Sequence, residues 1–494
     1  MEPEELERRN PWWRRVEAIE EDFHVVEYEA HEPKWDPMVR HSLRFDVDRV
    51  FTLRGPRQVG KTTLLKLLLR EAMASGAHPR SVLYLSCDLF HDPGQIVAAV
   101  DTYMGSSRGV PEGERRLILL DEVTSVRDWD RGVKSLVDMG TMVGSTVVLT
   151  GSHAMDLRRS SGRLAGRRGE GEIPVNVTMR PLRFSEYVAT VSPPLLSELE
   201  DVLQEEGTTR REVLMALLEG EVPDALGGPV HALRADLRRV LDEYMVTGGM
   251  MRAVRQLREG DSIAPGTYEL YVQGLLGDLA RWGMSEGPAR QVIAAVAERL
   301  TSSFSLNSIA KATELGSHST VGRYLDAFEE AFVLANLFQL ELHKGRAKYK
   351  AERKVHFVDP FMAHAFSAWV LGEADPFSLS RTRLSSREWK AGLVEGVVAS
   401  HMARLMEDLA ASDLHNPREA LFFWKKKGSG REVDLVARLP SGFRPVEVKY
   451  QTQVTSGDMV PLKSFKGGLV VSRETLEARG RRAIVPLEVF LVLV

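Results

Sequence analysis

Cysteine is nearly missing from this chain. Cys87 stands alone, so no internal disulfide can form and no cysteine cluster can hold zinc. Long hydrophobic runs are missing too: nothing approaches the roughly 18 apolar residues that a membrane helix needs. Charge of one sign is not in excess. Lys+Arg number 65 against 69 Asp+Glu, a net of −4, so any nucleic-acid surface must be a local patch. There are no repeats or low-complexity segments. The opening Met1-Glu-Pro-Glu-Glu-Leu-Glu7 is acidic and runs into Arg8-Arg9, which is not a secretory pattern. What remains is ordinary apolar content, 43% over 494 residues, enough for a core in each of about three domains. A soluble, cytoplasmic, multidomain protein with no membrane partner is expected.

Residues 1–45 read as an irregular lead-in packed on the next domain, with Trp12 and Trp13 looking exposed. Over residues 46–190, apolar runs at Val50–Leu53, Val82–Leu85, Leu117–Leu120 and Thr146–Thr150 alternate with segments of helical period. Runs of this kind fit strands buried on both faces, and the alternation predicts βαβ units and a three-layer α/β domain. Residues 191–300 turn helical. The stretch Ser303–Leu342 predicts helix, turn, helix, followed by the basic segment Lys344, Arg346, Lys348, Lys350, Arg353 and Lys354, then a short strand at Val355–Val358. Toward the end a helix over Glu388–Leu409 precedes strands at Leu421–Trp424, Val433–Arg438, Pro445–Tyr450, Gly468–Ser472 and Val489–Val494.

Chemistry is legible at two places. Gly55, Pro56, Arg57, Gln58, Val59, Gly60, Lys61 and Thr62 spell G-x-x-x-x-G-K-T, with Thr63 next, between an apolar run and a helical stretch. That is the setting in which glycine-rich backbone cradles phosphates at a helix N-terminus. Lys61 is expected on the β- and γ-phosphates of ATP and Thr62 on Mg²⁺. Asp121 and Glu122 end the run Leu117–Leu120. Asp121 would hold Mg²⁺ through its water shell and Glu122 would polarise the attacking water. Ser152 is preferred to Thr150 as a γ-phosphate sensor. Five arginines around two glycines between Arg158 and Arg168 suit a neighbour's phosphates or nucleic acid; Arg163, Arg167 and Arg168 are all candidates for an arginine finger.

The second place is C-terminal. Asp434 lies among apolar residues in Arg431–Arg438, a turn follows at Pro440–Gly442, and Glu447 and Lys449 stand two apart on the next strand, hence on one face. A hairpin would bring Asp434 to them, with Glu395 from the preceding helix. Carboxylates converging with a lysine predict an Mg²⁺ or Mn²⁺ site for phosphodiester hydrolysis, Asp434 and Glu447 ligating the metal. In the helix pair, Ser319, Thr320, Arg323 and Tyr324 form the expected recognition face, with Lys348 on the wing or a neighbouring strand; a protein-docking role is the alternative. Lys425, Lys426, Lys427 and Arg431 make another basic cluster beside the presumed metal site.

Together the segments 55–63, 119–122, 149–152, 162–167, 181–187, 248–249, 323–329, 357–360, 432–434 and 447–449 resemble prokaryotic AAA+-type P-loop ATPases. The C-terminal domain of that family, of unknown function, resembles the PD-(D/E)xK endonuclease fold. The resemblance implies an α/β fold with a P-loop core (46–190), a helical lid (191–300), a winged-helix domain (301–375) and a restriction-endonuclease-like domain (376–494). It also implies homo-oligomers such as a hexameric ring, and Arg252 as a second-sensor candidate, although Gly248-Gly249 lacks the proline that commonly follows in relatives. The expected function is an ATP-hydrolysing enzyme acting on branched or junction DNA, the last domain cutting or only binding it. The alternative is a signal-transduction switch docking a protein partner.

Overall fold

A computed structural model of the chain describes residues 1–106, 110–151, 157, 174–410, 415–426, 428 and 430–494. Two compact units emerge, one holding Met1–Arg180 and the other Pro181–Ala410 with the segment that ends at Val494.

In the first unit, strands β1 (Arg49–Arg54), β2 (Val82–Ser86), β3 (Arg116–Asp121), β4 (Ser145–Thr150) and β5 (Asn176–Thr178) form a sheet ordered β2-β3-β4-β1-β5, every pairing parallel. Helices Lys61–Ala74, Pro93–Gly105 and Trp129–Asp138 make the crossovers. The order sets the C-terminal ends of β1, β3 and β4 side by side, where open α/β sheets bind ligands.

The lead-in differs from expectation. Trp12 and Trp13 are buried, 1% and 8% exposed. β2 is an edge strand, and an edge presents unpaired backbone groups. Both indole Nε1 atoms donate to Val82 O, at 3.2 and 2.8 Å, and Asn10 Oδ1 accepts from Tyr84 N at 2.8 Å. The tryptophans are therefore spent on closing a sheet edge, a demand that only the strand order reveals.

The second unit begins with a run of helices from Phe184–Val191 to Glu286–Ala297. Helices Leu306–Ala312 and His318–Glu330 follow as the expected pair. The segment past Phe332, expected as helix, is strand: Phe332 has φ 57°, which breaks the helix, and β6 (Leu334–Glu341) and β7 (Arg346–Phe357) form a hairpin. This hairpin does not close on the helix pair as a separate small domain. It continues the sheet of β8 (Leu421–Lys425), β9 (Glu432–Leu439), β10 (Gly442–Lys449), β11 (Leu469–Ser472), β12 (Glu477–Ala478) and β13 (Ala483–Pro486), in the order β12-β13-β11-β10-β9-β8-β6-β7. Phe338 and Leu340 share one core with Phe422, Trp424, Val436 and Ile484. The last apolar segment is helix Leu487–Leu493, not a strand, and is buried throughout. A short run apolar on every face has no periodicity to separate the two. β12 and β13 had no counterpart in the sequence reading.

Candidate functional site

The phosphate loop is shaped by backbone demands. Gly60 has φ 104° and Gln58 φ 61°, both left-handed. A Cβ on Gly55 would lie 2.2 Å from Met179 O, so only glycine fits there. Lys61 opens helix Lys61–Ala74, is 5% exposed, and its Nζ donates to Gly55 O and Pro56 O at 3.0 Å each. Its ammonium is thus held against the loop, where a nucleotide's phosphates would compete for it. Pro56 and Val59 are buried, Arg57, Thr62 and Thr63 half-buried, and Gln58 exposed.

Asp121, at the end of β3 and 2% exposed, is the hub. Its Oδ2 accepts from Thr62 Oγ1 at 2.8 Å and from Tyr84 Oη at 2.9 Å; its Oδ1 accepts from Thr150 Oγ1. The Thr150 hydroxyl also accepts from Glu122 N at 3.2 Å, so the two acidic residues are tied to β4. Thr62 and Asp121 fit a magnesium nucleotide: a hydroxyl beside a fixed carboxylate, at a helix N-terminus, supplies the cation's protein side. Tyr84 was missed by the sequence reading. Burial, with the Asp121 charge, pushes its phenol far up, so it stays protonated and donates. Lys66 Nζ sits 3.4 Å from the Tyr84 ring centroid and 3.0 Å from Asp22 Oδ2, linking the lead-in to this network. Ser152, Arg163, Arg167 and Arg168 lie outside the described residues.

The C-terminal residues do converge. β9 and β10 form a hairpin, and Val448 N donates to Asp434 Oδ2 at 2.9 Å. Lys449 Nζ lies 2.6 Å from Glu447 Oε1 and 3.8 Å from Asp434 Oδ2. Glu395, on helix Arg387–Asp408, arrives through the last cation of the basic stretch: Lys354 Nζ is 2.6 Å from Glu395 Oε1 and 2.7 Å from Asp434 Oδ1. Burial and the Asp434 charge push Glu395 up to about 8, and the same two causes push Glu447 up to about 8. Burial opposes ionisation of Asp434, but Lys354 and Lys449 hold it below the usual carboxylate range. Among the described residues no group of three or more His, Cys, Asp or Glu is arranged to hold a metal ion. Asp434 and Glu447, expected as Mg²⁺ or Mn²⁺ ligands, instead face two ammonium groups and do not fit that role. Sequence reasoning missed Lys354 because its partner Asp434 is 80 residues away.

A cleft of about 730 Å³ opens over this cluster, lined by Lys425, Arg431, Glu432, Asp434, Glu447 and Lys449 among others. Lys425 Nζ is engaged by Glu352 Oε2 at 2.7 Å and Ser303 Oγ at 3.3 Å. Lys426 is exposed, and Lys427 lies outside the described residues. In helix His318–Glu330, Arg323 is exposed and Thr320 half-buried, but Tyr324 is buried and its hydroxyl accepts from Ser285 N at 3.0 Å. Tyr324 therefore pins the helix and is not on its outer face. Lys348 is exposed; Thr320, Arg323 and Lys348 do not line the cleft. Exposed Arg252 opens helix Met251–Gly260. Three further motifs meet at one joint: Leu182 N donates to Gly249 O at 3.0 Å, and Gly249 N donates to Asp359 Oδ2 at 2.7 Å.

Residues 47–188 match a family model described as an AAA domain. Residues 238–372 and 390–490 match two domains of unknown function, DUF8612 and DUF4143. A curated relative, an uncharacterized protein of Methanocaldococcus jannaschii, is 29% identical over 228 residues, 44% of this chain and 46% of the relative. The match thus spans about half of that relative's length. Among solved structures, a Walker-type ATPase of Pyrococcus abyssi is 13% identical, covering 74% of this chain and 97% of its own, at a TM-score of 0.37. AMPPCP-bound DnaA from Aquifex aeolicus is 20% identical, covering 59% and 86%, at 0.23. Cdc6p from Pyrobaculum aerophilum is 12% identical, covering 76% and 96%, at 0.21. Residues 47–188 form an AAA-type domain with a P-loop, built on a parallel sheet. No described helix is long and apolar enough to cross a membrane.

Proposed function

We propose that this chain is an ATP hydrolase that acts on DNA. The observation that carries the ATPase reading is the Thr62–Asp121 hydrogen bond at 2.8 Å, next to a lysine held across the phosphate loop. In this reading Lys61 binds the β- and γ-phosphates, Thr62 and Asp121 hold Mg²⁺, and Glu122 orients and deprotonates the attacking water. Arg163 or Arg167 from a neighbouring copy would complete the site, which makes a homo-oligomer part of the proposal. DNA action is supported by Lys425, Arg431 and Lys449 in the C-terminal cleft, whose lining also carries Glu432, Asp434, Glu447 and Asp458. Lysine and arginine side chains grouped in one groove hold a phosphodiester backbone without reading its sequence.

A second reading, a nucleotide-gated switch that docks a protein partner, is favoured by one observation. Arg353 and Lys354, two of the basic stretch's cations, are buried, and Tyr324 faces inward. The stretch is therefore not a continuous basic stripe. ATP turnover measured alone and with single-stranded, duplex and four-way-junction DNA decides between them. Stimulation by one DNA form, lost in Lys61→Ala, is expected. Flat turnover with no DNA retained would remove the DNA reading and leave the switch.

A further inference from the structure

The point where the C-terminal carboxylates converge already holds a cation. Lys354 is 0% exposed, and its Nζ lies 2.6 Å from Glu395 Oε1, 2.7 Å from Asp434 Oδ1 and 3.2 Å from Glu432 Oε1. Lys449 covers the other side, 2.6 Å from Glu447 Oε1. The second oxygens of two of these acids are also engaged: Asp434 Oδ2 accepts from Val448 N at 2.9 Å, and Glu447 Oε2 from Asp434 N at 3.3 Å. A divalent ion such as Mg²⁺ requires several oxygens at about 2.0–2.1 Å in near-octahedral array. Here Asp434 Oδ1 accepts from Lys354 Nζ and Glu447 Oε1 from Lys449 Nζ, while Glu395 Oε1 pairs with Lys354 by charge, and a fully buried lysine cannot swing out to yield the place.

We propose that Lys354 is the built-in cation of the C-terminal site, replacing the metal, so that the cleft holds nucleic acid without a divalent ion and leaves the strand uncut. The occupant rests on the DNA reading above; the role of Lys354 rests on the geometry alone. β7 carries the lysine beneath the helix that supplies Glu395, while β9 and β10 bring the other acids. The cluster thus ties β7, β9, β10 and that helix together by charge, and it keeps Lys449 and Arg431 at the cleft surface.

The full chain carrying Thr62→Ala, without nucleotide, silences the ATP site and isolates the C-terminal one. Mn²⁺ titration followed by electron paramagnetic resonance is expected to find no bound ion there, and Mn²⁺ to leave the melting temperature unchanged. Adding Lys354→Met strips the carboxylates of their cation, which destabilises a buried cluster. The melting temperature of that variant should fall, and Mn²⁺ should raise it again. A further Glu395→Gln should restore part of the stability and abolish the Mn²⁺ response. If Lys354→Met does not fold, the unaltered site still decides: Mn²⁺ bound by it and lost in Asp434→Asn would overturn the proposal. So would duplex DNA cut in Mn²⁺ by the wild type and spared by Asp434→Asn. Labelled duplex should be retained equally in EDTA and in Mn²⁺. Failure to bind any DNA, with the metal responses as expected, would sink the DNA reading and leave Lys354 as assigned.

Discussion

Removing one hydroxyl tests the nucleotide site most sharply. Tyr84→Phe keeps the ring under Lys66, whose Nζ sits 3.4 Å from its centroid, and deletes only the donor 2.9 Å from Asp121 Oδ2. A hydrogen bond to a charged group contributes roughly 1.5–3 kcal/mol. Thr62 and Thr150 still bond Asp121 in the variant, so the lower end applies, about 1.5 kcal/mol. That corresponds to roughly tenfold in an equilibrium constant. With one of its three hydroxyl partners gone, the Asp121 carboxylate is less firmly oriented, so the loss should fall on the cation and not on the fold. The assay is the Mg²⁺ half-saturation of ATP turnover at saturating ATP, with nucleotide affinity in EDTA as the control. About a tenfold rise in half-saturation is expected, with metal-free affinity and melting temperature nearly unchanged. A shift under twofold would mean that Tyr84 is packing and that Asp121 is fixed by its threonines alone.

Three more outcomes follow from the geometry. Gly249→Ala would place a Cβ 2.2 Å from Leu182 O and 2.3 Å from Leu182 N; because backbone cannot step aside cheaply, denaturant unfolding should show a loss of about 3 kcal/mol or more, and an unchanged midpoint would refute the close approach. Burial raises the Asp359 carboxyl from 3.8 to about 6 despite its bond from Gly249 N. The folded state thus binds more protons than the unfolded one between about pH 4 and 6, so this group's contribution falls as pH rises through that window, by roughly 3 kcal/mol at most. Asp359→Asn should flatten that part of a stability–pH profile, and an identical profile would refute it. Trp13→Phe removes the shorter of the two N–H donors to Val82 O, at 2.8 Å, leaving Trp12 Nε1 at 3.2 Å, and should cost about 1 kcal/mol for the lost hydrogen bond, read by thermal unfolding; no change would mean that Trp12 alone satisfies the carbonyl.

What could be read from the sequence was local. The phosphate loop is nine consecutive residues, and Asp121-Glu122 ends a single apolar run, so each motif is complete in a short window. The same holds for the hairpin that pairs Val446 with Leu435 and sets Asp434 beside Glu447. Tyr84 and Thr150 reach Asp121 only because β2 and β4 flank β3. Strand order is a long-range property, and neither residue's own neighbours announce it. Periodicity failed in the expected places as well: residues 487–493 are apolar on all sides, and a buried helix and a buried strand then look alike.

Lys354 shows why charge alone misleads. On a strand, Lys348, Lys350, Glu352 and Lys354 share one face by the period of two. Read as a sequence, that face is a solvated basic ladder. In the structure Lys348 and Lys350 are exposed, Glu352 is half-buried and Lys354 is fully buried, because β7 runs from solvent to a place under helix Arg387–Asp408. One face thus passes from water to core within seven residues. Only the partners distinguish the last lysine from the first. Glu395 and Asp434 supply the charge that a buried ammonium requires, and both lie far from it in sequence. A basic residue immediately before the buried end of a strand, with unassigned acids downstream, is the pattern that would have pointed to it.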